Sequence, residues 1–184
     1  MPAIEPLPPD AARAERAALE ELYYAAFSPP PYAESLAEAQ AFGTLVERDS
    51  RRAGFDAFVA RDDAGAIVGL VYGYDTPLLP PEGAWWARLI EAVGADAARE
   101  WILGQFAFCW YAVAPGAQNG GIGGALYETI MARVTTRRAW LVTHGEPSRA
   151  RDMYDRRGWR ELARAELGWV PGERAVMGIA LDGR

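Results

Sequence analysis

The stretch Val113-Ala-Pro-Gly-Ala-Gln118-Asn-Gly-Gly-Ile-Gly-Gly124 decides how the rest of the chain is read. Ahead of it, residues 102–113 form an apolar run dense in aromatic and β-branched side chains, the pattern of a buried strand. Behind it, Ile122, Ala125, Leu126, Thr129, Ile130 and Val134 recur at helical spacing, so a helix is expected over 121–137. A glycine turn between a strand and a helix lets backbone approach a ligand closely. The first helical N–H groups have no partner within the helix, and with the positive end of its dipole they favour a phosphate or pyrophosphate.

Three glycine-loop patterns compete for this stretch. A nucleotide-binding P-loop needs a Lys after its last glycine, where this chain has Ala125 and Leu126. The dinucleotide fingerprint needs an early βαβ unit with an acidic residue following the next strand. Here the glycines lie past mid-chain, and the strand expected at 139–144 leads into another helix without that pattern. The third pattern is Gln/Arg-x-x-Gly-x-Gly/Ala with Val-x-Pro just ahead, and Val113, Pro115, Gln118, Gly121 and Gly123 fit it in order. It resembles motif A of the GNAT N-acetyltransferase superfamily, whose loop binds the pyrophosphate of acetyl-coenzyme A.

A second match lies downstream, in Ala150-Arg-Asp-Met153-Tyr154-Asp-Arg-Arg-Gly158-Trp159. It resembles the A-x-x-Φ-Y-x-x-x-G-F/W helix of the same superfamily, in which the tyrosine commonly protonates the departing thiolate. The resemblance extends from about residue 10 to residue 181. It implies one GNAT-like domain over 1–184, of α/β (α+β type) class, with a mixed, mostly antiparallel twisted sheet and helices on both faces. It implies acetyl-CoA as co-substrate, held by Gln118, Asn119, Gly120, Gly121, Ile122, Gly123 and Gly124, with backbone groups near Tyr111 and Val113 polarising the thioester. Many members dimerise, so a homodimer is an expectation by analogy.

Composition is compatible with this. A chain of 184 residues, 51% hydrophobic and 24% charged, is ordinary for one globular domain. One cysteine, Cys109, excludes an intramolecular disulfide and favours a reducing, cytoplasmic setting. The proline-rich start lacks a basic-then-apolar signal pattern, and no apolar run approaches the roughly 20 residues of a membrane span. A net charge of −6 argues against nucleic acid as partner and suits a cationic amine. All nineteen basic residues are Arg, so no lysine base is available.

Along the chain, Asp10 is expected to cap a helix reaching about Phe27, which Ser28 and three prolines then end. A second helix is expected over 33–53, with Leu36, Ala39, Phe42 and Val46 on its apolar face and Gly54 closing it. Residues 1–7 are the one candidate for a strand ahead of these helices. Strands at 55–61 and 66–74 are joined by the Asp62–Gly65 turn. Residues 75–101 read as an insertion with two short helical pieces, expected to serve as a substrate lid. Ser148 is a plausible cap for the Tyr154 helix, and residues 160–167 and 175–181 form a terminal hairpin that turns at Pro171 and Gly172.

Acetyl transfer to an amine needs a held thioester, a polarised carbonyl, an acid for the thiolate and a base for the amine. Tyr154, with an ordinary phenol pKa of about 10, suits the acid; core packing is the alternative for a tyrosine on an amphipathic helix. The base is not assigned. No carboxylate stands on 102–113, where Ala107 and Trp110 occupy positions at which one is sought, and Glu34, Asp75, Glu82, Glu100, His144 or a water chain remain. Cys109 reads as core rather than as a nucleophile, because no basic neighbour lowers its pKa. No metal site is expected. Tyr24, Phe27 and Tyr32, with Trp85 of the insertion, are candidate walls of an acceptor pocket, where aromatic faces would suit a cation. The expected function is acetylation of a primary amine, of a small molecule or alternatively of a peptide or protein; a catalytically silent acyl-CoA-binding regulator is the reading from a different class.

Overall fold

A computed structural model describes residues 2–30, 32–167 and 172–181. The strands are β1 (Ala3–Pro6), β2 (Asp56–Arg61), β3 (Ile67–Asp75), β4 (Phe106–Val113), β5 (Arg138–His144), β6 (Arg160–Ala165) and β7 (Arg174–Ala180). The helices are α1 (Pro9–Ala14), α2 (Arg16–Phe27), α3 (Leu36–Asp49), α4 (Ala84–Val93), α5 (Ala95–Trp101), α6 (Ile122–Met131) and α7 (Arg149–Arg156). Hydrogen-bonded strands follow the order β1-β2-β3-β4-β5-β7-β6, with β4–β5 parallel and the β1–β2, β2–β3, β5–β7 and β6–β7 pairs antiparallel. This is the mixed, mostly antiparallel sheet expected from the sequence. The chain clusters into two compact units, Met1–Tyr74 with Cys109–Val134, and Asp75–Phe108 with Thr135–Arg184.

In the first unit the period-2 alternation of β2 and β3 divides their side chains between two helical layers. Ala57, Val59, Leu70 and Tyr72 pack into one core with Leu19, Leu22 and Tyr23 of α2 and Ala39, Phe42 and Val46 of α3. The opposite face meets α6, where Gly69 lies under Leu126 and Ile122; a methyl group at Gly69 would stand 2.8 Å from Leu126 Cδ1. At the rim, Arg133 pairs with Asp56 at 2.5 Å.

Several boundaries differ from those expected. The first helix is two, broken at Glu15 (φ −96°, ψ 17°), and Asp10 lies in its first turn behind Pro8 rather than capping it. Proline at N1 supplies the fixed φ that starts α1. The second helix starts only at Leu36, because Ser35 and Glu38 form a reciprocal capping box. Leu36 is therefore a first-turn residue, 59% exposed, and not part of the apolar stripe. The helix after the glycines ends at Met131 instead of 137. Thr136 belongs to the approach to β5, its hydroxyl accepting from Phe106 N and donating to Arg138 O. The short, proline-flanked segment at the start is a real strand, β1, pairing with β2 from Ala3 opposite Arg61 to Pro6 opposite Phe58.

In the second unit β5 pairs with β7 from Arg138 opposite Ala180 to His144 opposite Arg174, and β7 carries β6 on its other side. The insertion packs onto these strands. Trp86 of α4 meets the Trp140 ring at 5.9 Å, and Trp140 Nε1 donates to the buried Thr76 hydroxyl at 2.9 Å. The guanidinium groups of Arg138 and Arg160 stand 4.5 and 4.1 Å from the ring centre of Trp101 of α5. Leu78 and Leu79, in the opening of the insertion, are exposed. Of the expected terminal turn, Pro171 lies outside the described residues.

Candidate active site

The glycine loop is held from both ends in the first unit. Ala114 N donates to Val68 O at 2.9 Å, so pairing with β3 persists to the end of β4. A 3-10 turn, Pro115–Ala117, follows, and the Gln118 side chain turns back to donate from Nε2 to Val113 O at 3.1 Å. Asn119 (φ +65°) and Gly121 (φ +82°) take left-handed backbone, which swings the chain into α6. The first helical bond runs from Ala125 N to Gly121 O at 3.0 Å. The N–H groups of Ile122, Gly123 and Gly124 precede it and have no carbonyl one turn earlier within the helix. Ile122 anchors this end with a buried side chain, while Gln118, Asn119, Gly120 and Gly121 face solvent. No acidic residue stands in the first turn.

Tyr111 closes the loop from below. A methyl group at Gly123 would overlap the Tyr111 hydroxyl and sit 3.6 Å from Val113 Cγ2, so a side chain there would displace the end of Tyr111. The arrangement offers main-chain donors, a helix dipole and no competing negative charge, which is the donor set a pyrophosphate needs.

Cys109 and Trp110, adjacent in the middle of β4, both pack against the core that takes Tyr72 and Ala112. Cys109 is set beside Tyr74 and Asp49, and burial pushes its thiol pKa well up, with the Asp49 carboxylate adding to the shift. That opposes a thiolate and agrees with a packing role. Asp49 itself is buried, accepting from Arg52 Nε at 2.9 Å, Arg48 at 3.1 Å and the Tyr72 hydroxyl at 3.3 Å. This ionic knot at the end of α3 was not read from the sequence.

Trp110, where a carboxylate was sought, belongs to an aromatic cluster of the first unit. Its ring lies 5.2 Å from Tyr23, 5.0 Å from Phe42 and 6.1 Å from Phe27. Tyr23 stacks on Phe42 at 4.5 Å, and Phe27 meets Tyr32 edge-on at 5.2 Å. The Tyr23 hydroxyl donates to Glu34, whose own N–H donates to Phe27 O at 3.0 Å. Of the other candidate acceptor residues, Tyr24 is 43% exposed on α2, and Trp85 belongs to the second unit, edge-on to Trp86 at 5.1 Å.

Tyr154 is in the second unit on α7, a helix capped by the Ser148 hydroxyl, which accepts from Arg151 N at 3.1 Å. It is buried between Phe108, 6.0 Å away, and Trp159, 5.7 Å away. Among the base candidates of this unit, Glu100 pairs with Arg138 at 2.6 Å. Burial raises the Asp75 carboxyl pKa. Burial first, and Arg174 second, lower that of His144, which keeps its imidazole neutral at neutral pH. Among the described residues no three His, Cys, Asp or Glu side chains gather as a metal site, and no helix is long and apolar enough to cross a membrane.

Comparison with known proteins bears on the family and the fold. The family model described as the Acetyltransferase (GNAT) family matches residues 16–159. No curated protein matches. Three solved structures share the fold at low identity. NAA60 of Arabidopsis thaliana, in complex with a bisubstrate analogue, has TM-score 0.65 and 15% identity, with 100% of each chain covered. The ribosomal-protein-S18-alanine N-acetyltransferase of Escherichia coli has TM-score 0.63 and 15% identity, covering 98% of this chain and 94% of that one. Histone acetyltransferase HPA2 and related acetyltransferase from Corynebacterium glutamicum has TM-score 0.62 and 22% identity, covering 96% and 94%. With a family match that spans most of its length and includes the glycine loop, the chain belongs to the GNAT acetyltransferase family.

Proposed function

We propose that the protein acetylates a primary amine of a small molecule, using acetyl-CoA. The observation that carries this reading is the loop: three helix-leading N–H groups behind a left-handed Gly121, packed so closely on Tyr111 that a side chain at Gly123 would displace its end. Acetyl-CoA supplies an activated thioester; the protein's part is to bind, orient and manage protons. The loop N–H groups hold the pyrophosphate, each charge-assisted bond contributing about 1.5–3 kcal/mol. Backbone donors on β4 near Tyr111 and Val113 polarise the thioester carbonyl.

The neutral amine nitrogen then attacks that carbon. The C–N bond forms, the C–S bond breaks with its electron pair on sulfur, and the surplus amine proton leaves to water. Tyr154 donates the proton that the thiolate takes, a role supported by its place in the Ala150–Gly158 motif. We assign the lid role of the insertion to its exposed opening, residues 77–82, since α4 and α5 are packed on the strands of their unit.

Release of free thiol from acetyl-CoA, followed across a panel of small primary amines and N-terminal peptides, tests the proposal. Turnover with small amines and little with peptides is the expected result. Turnover with peptides alone would move the acceptor to a protein, and coenzyme A binding with no turnover on any amine would leave a binding protein without catalysis.

A further inference from the structure

The aromatic cluster on α2, α3 and β4 carries more information than a core needs. Tyr23 and Phe42 are buried, whereas Phe27, Tyr32 and Trp110, each in ring contact within the group, are only half-buried. A purely structural cluster would gain by closing over them, because burying aromatic surface is strongly favourable. Two carboxylates stand near Tyr23. Glu34 accepts from the Tyr23 hydroxyl, and Glu38, fixed in its capping box with Ser35, acts on Tyr23 through its charge. Half-buried rings beside negative charge favour a cation with an apolar stem, since the faces of Trp, Tyr and Phe attract cations and the stem covers the rest.

The position fits the chemistry. Trp110, one wall of the cluster, immediately precedes Tyr111, whose hydroxyl lies against Gly123 of the loop. Cluster and loop thus share β4 and one compact unit, the Trp110 ring turned to α2 and α3 and the Tyr111 hydroxyl to α6.

We infer that Phe27, Tyr32 and Trp110, with Glu34 as the charge partner, form the acceptor subsite for an amine borne on an aromatic or bulky aliphatic group. This rests on the acetyl-transfer reading above and narrows its substrate class. Tyr23 is a positioning residue: its hydroxyl fixes the Glu34 carboxylate without touching the ligand.

The test compares phenethylamine with ethanolamine, two primary amines that differ in the stem, on the full chain saturated with coenzyme A. Calorimetry is expected to show phenethylamine binding at least tenfold tighter. E34Q, which preserves an acceptor for Tyr23, is expected to weaken phenethylamine about ten- to a hundredfold and leave coenzyme A affinity unchanged. Y32A, at a half-exposed ring, is expected to weaken phenethylamine and spare ethanolamine. Equal binding of the two amines, or an unaltered phenethylamine affinity in both variants, overturns the subsite. Thiol release on the same samples separates the two readings. Phenethylamine bound through Glu34 but never acetylated sinks the transfer reading and keeps the subsite. Ethanolamine acetylated while phenethylamine neither binds nor reacts does the reverse.

Discussion

The glycine loop and the aromatic cluster are two recognition surfaces of one compact unit built on opposite principles. The loop presents main chain: its donors are N–H groups, its exposed residues are Gln118, Asn119, Gly120 and Gly121, and its one essential side-chain fact is an absence at Gly123. The cluster presents side chains: five rings and a carboxylate drawn from α2, α3, the connection between them, and β4. Backbone recognition is indifferent to most substitutions and intolerant of a few that change φ or add volume. Side-chain recognition is graded, and part of the cluster doubles as core, so there binding and folding cannot be fully separated.

The largest expected effect lies outside both regions and serves to isolate them. Y154F should lower kcat by about 10²- to 10⁴-fold, the usual range for a general acid, with coenzyme A and amine affinities intact. Steady-state kinetics with calorimetry decides it, and a loss of affinity at unchanged kcat would mark Tyr154 as packing alone.

Within the cluster, F42A should cost about 3–5 kcal/mol of folding stability, because Phe42 is 3% exposed and its removal leaves a cavity. Y32A should cost well under half as much. Equal losses in urea denaturation would show that the half-buried rings are structural after all. Within the loop, G123A should lower coenzyme A affinity about tenfold, the scale of overpacking a close contact, and Y111F should restore part of it by removing the overlapped hydroxyl. Additive losses in the double variant would break the account of why that position is glycine.

The smallest effect is a pH dependence in the other unit. His144 has its pKa depressed in the folded state by burial and by Arg174, so folding favours the neutral imidazole. Its contribution is present above the unfolded value of about 6.5 and is lost as pH falls through the folded pKa. Thermal denaturation between pH 7 and 5 should show a decline that H144N flattens; an identical decline in the variant would assign it to other groups.

The same contrast explains what the sequence disclosed. The loop is contiguous, and its glycines are demanded by backbone geometry, so its ligand class could be read from a dozen letters. The cluster joins Tyr23, Phe27, Tyr32, Glu34, Phe42 and Trp110, and nothing local marks the partnership of α2 with the middle of β4. Tyr23 and Tyr24 were equivalent by letter, and only helix phase puts one in the core and leaves the other exposed. Helix ends failed where capping decided them: Ser35 with Glu38 set the start of α3, although Ala33 to Leu36 looked equally helical. The break at Glu15 carries no proline or glycine to announce it.

Backbone amide NMR during a coenzyme A titration tests the central claim most directly. Saturable shifts concentrated on the N–H groups of residues 118–124, largest at Ile122, Gly123 and Gly124 and weakened in G123A, are the expected result. Saturable binding that leaves those amides unmoved, or no binding by a folded chain, would contradict it.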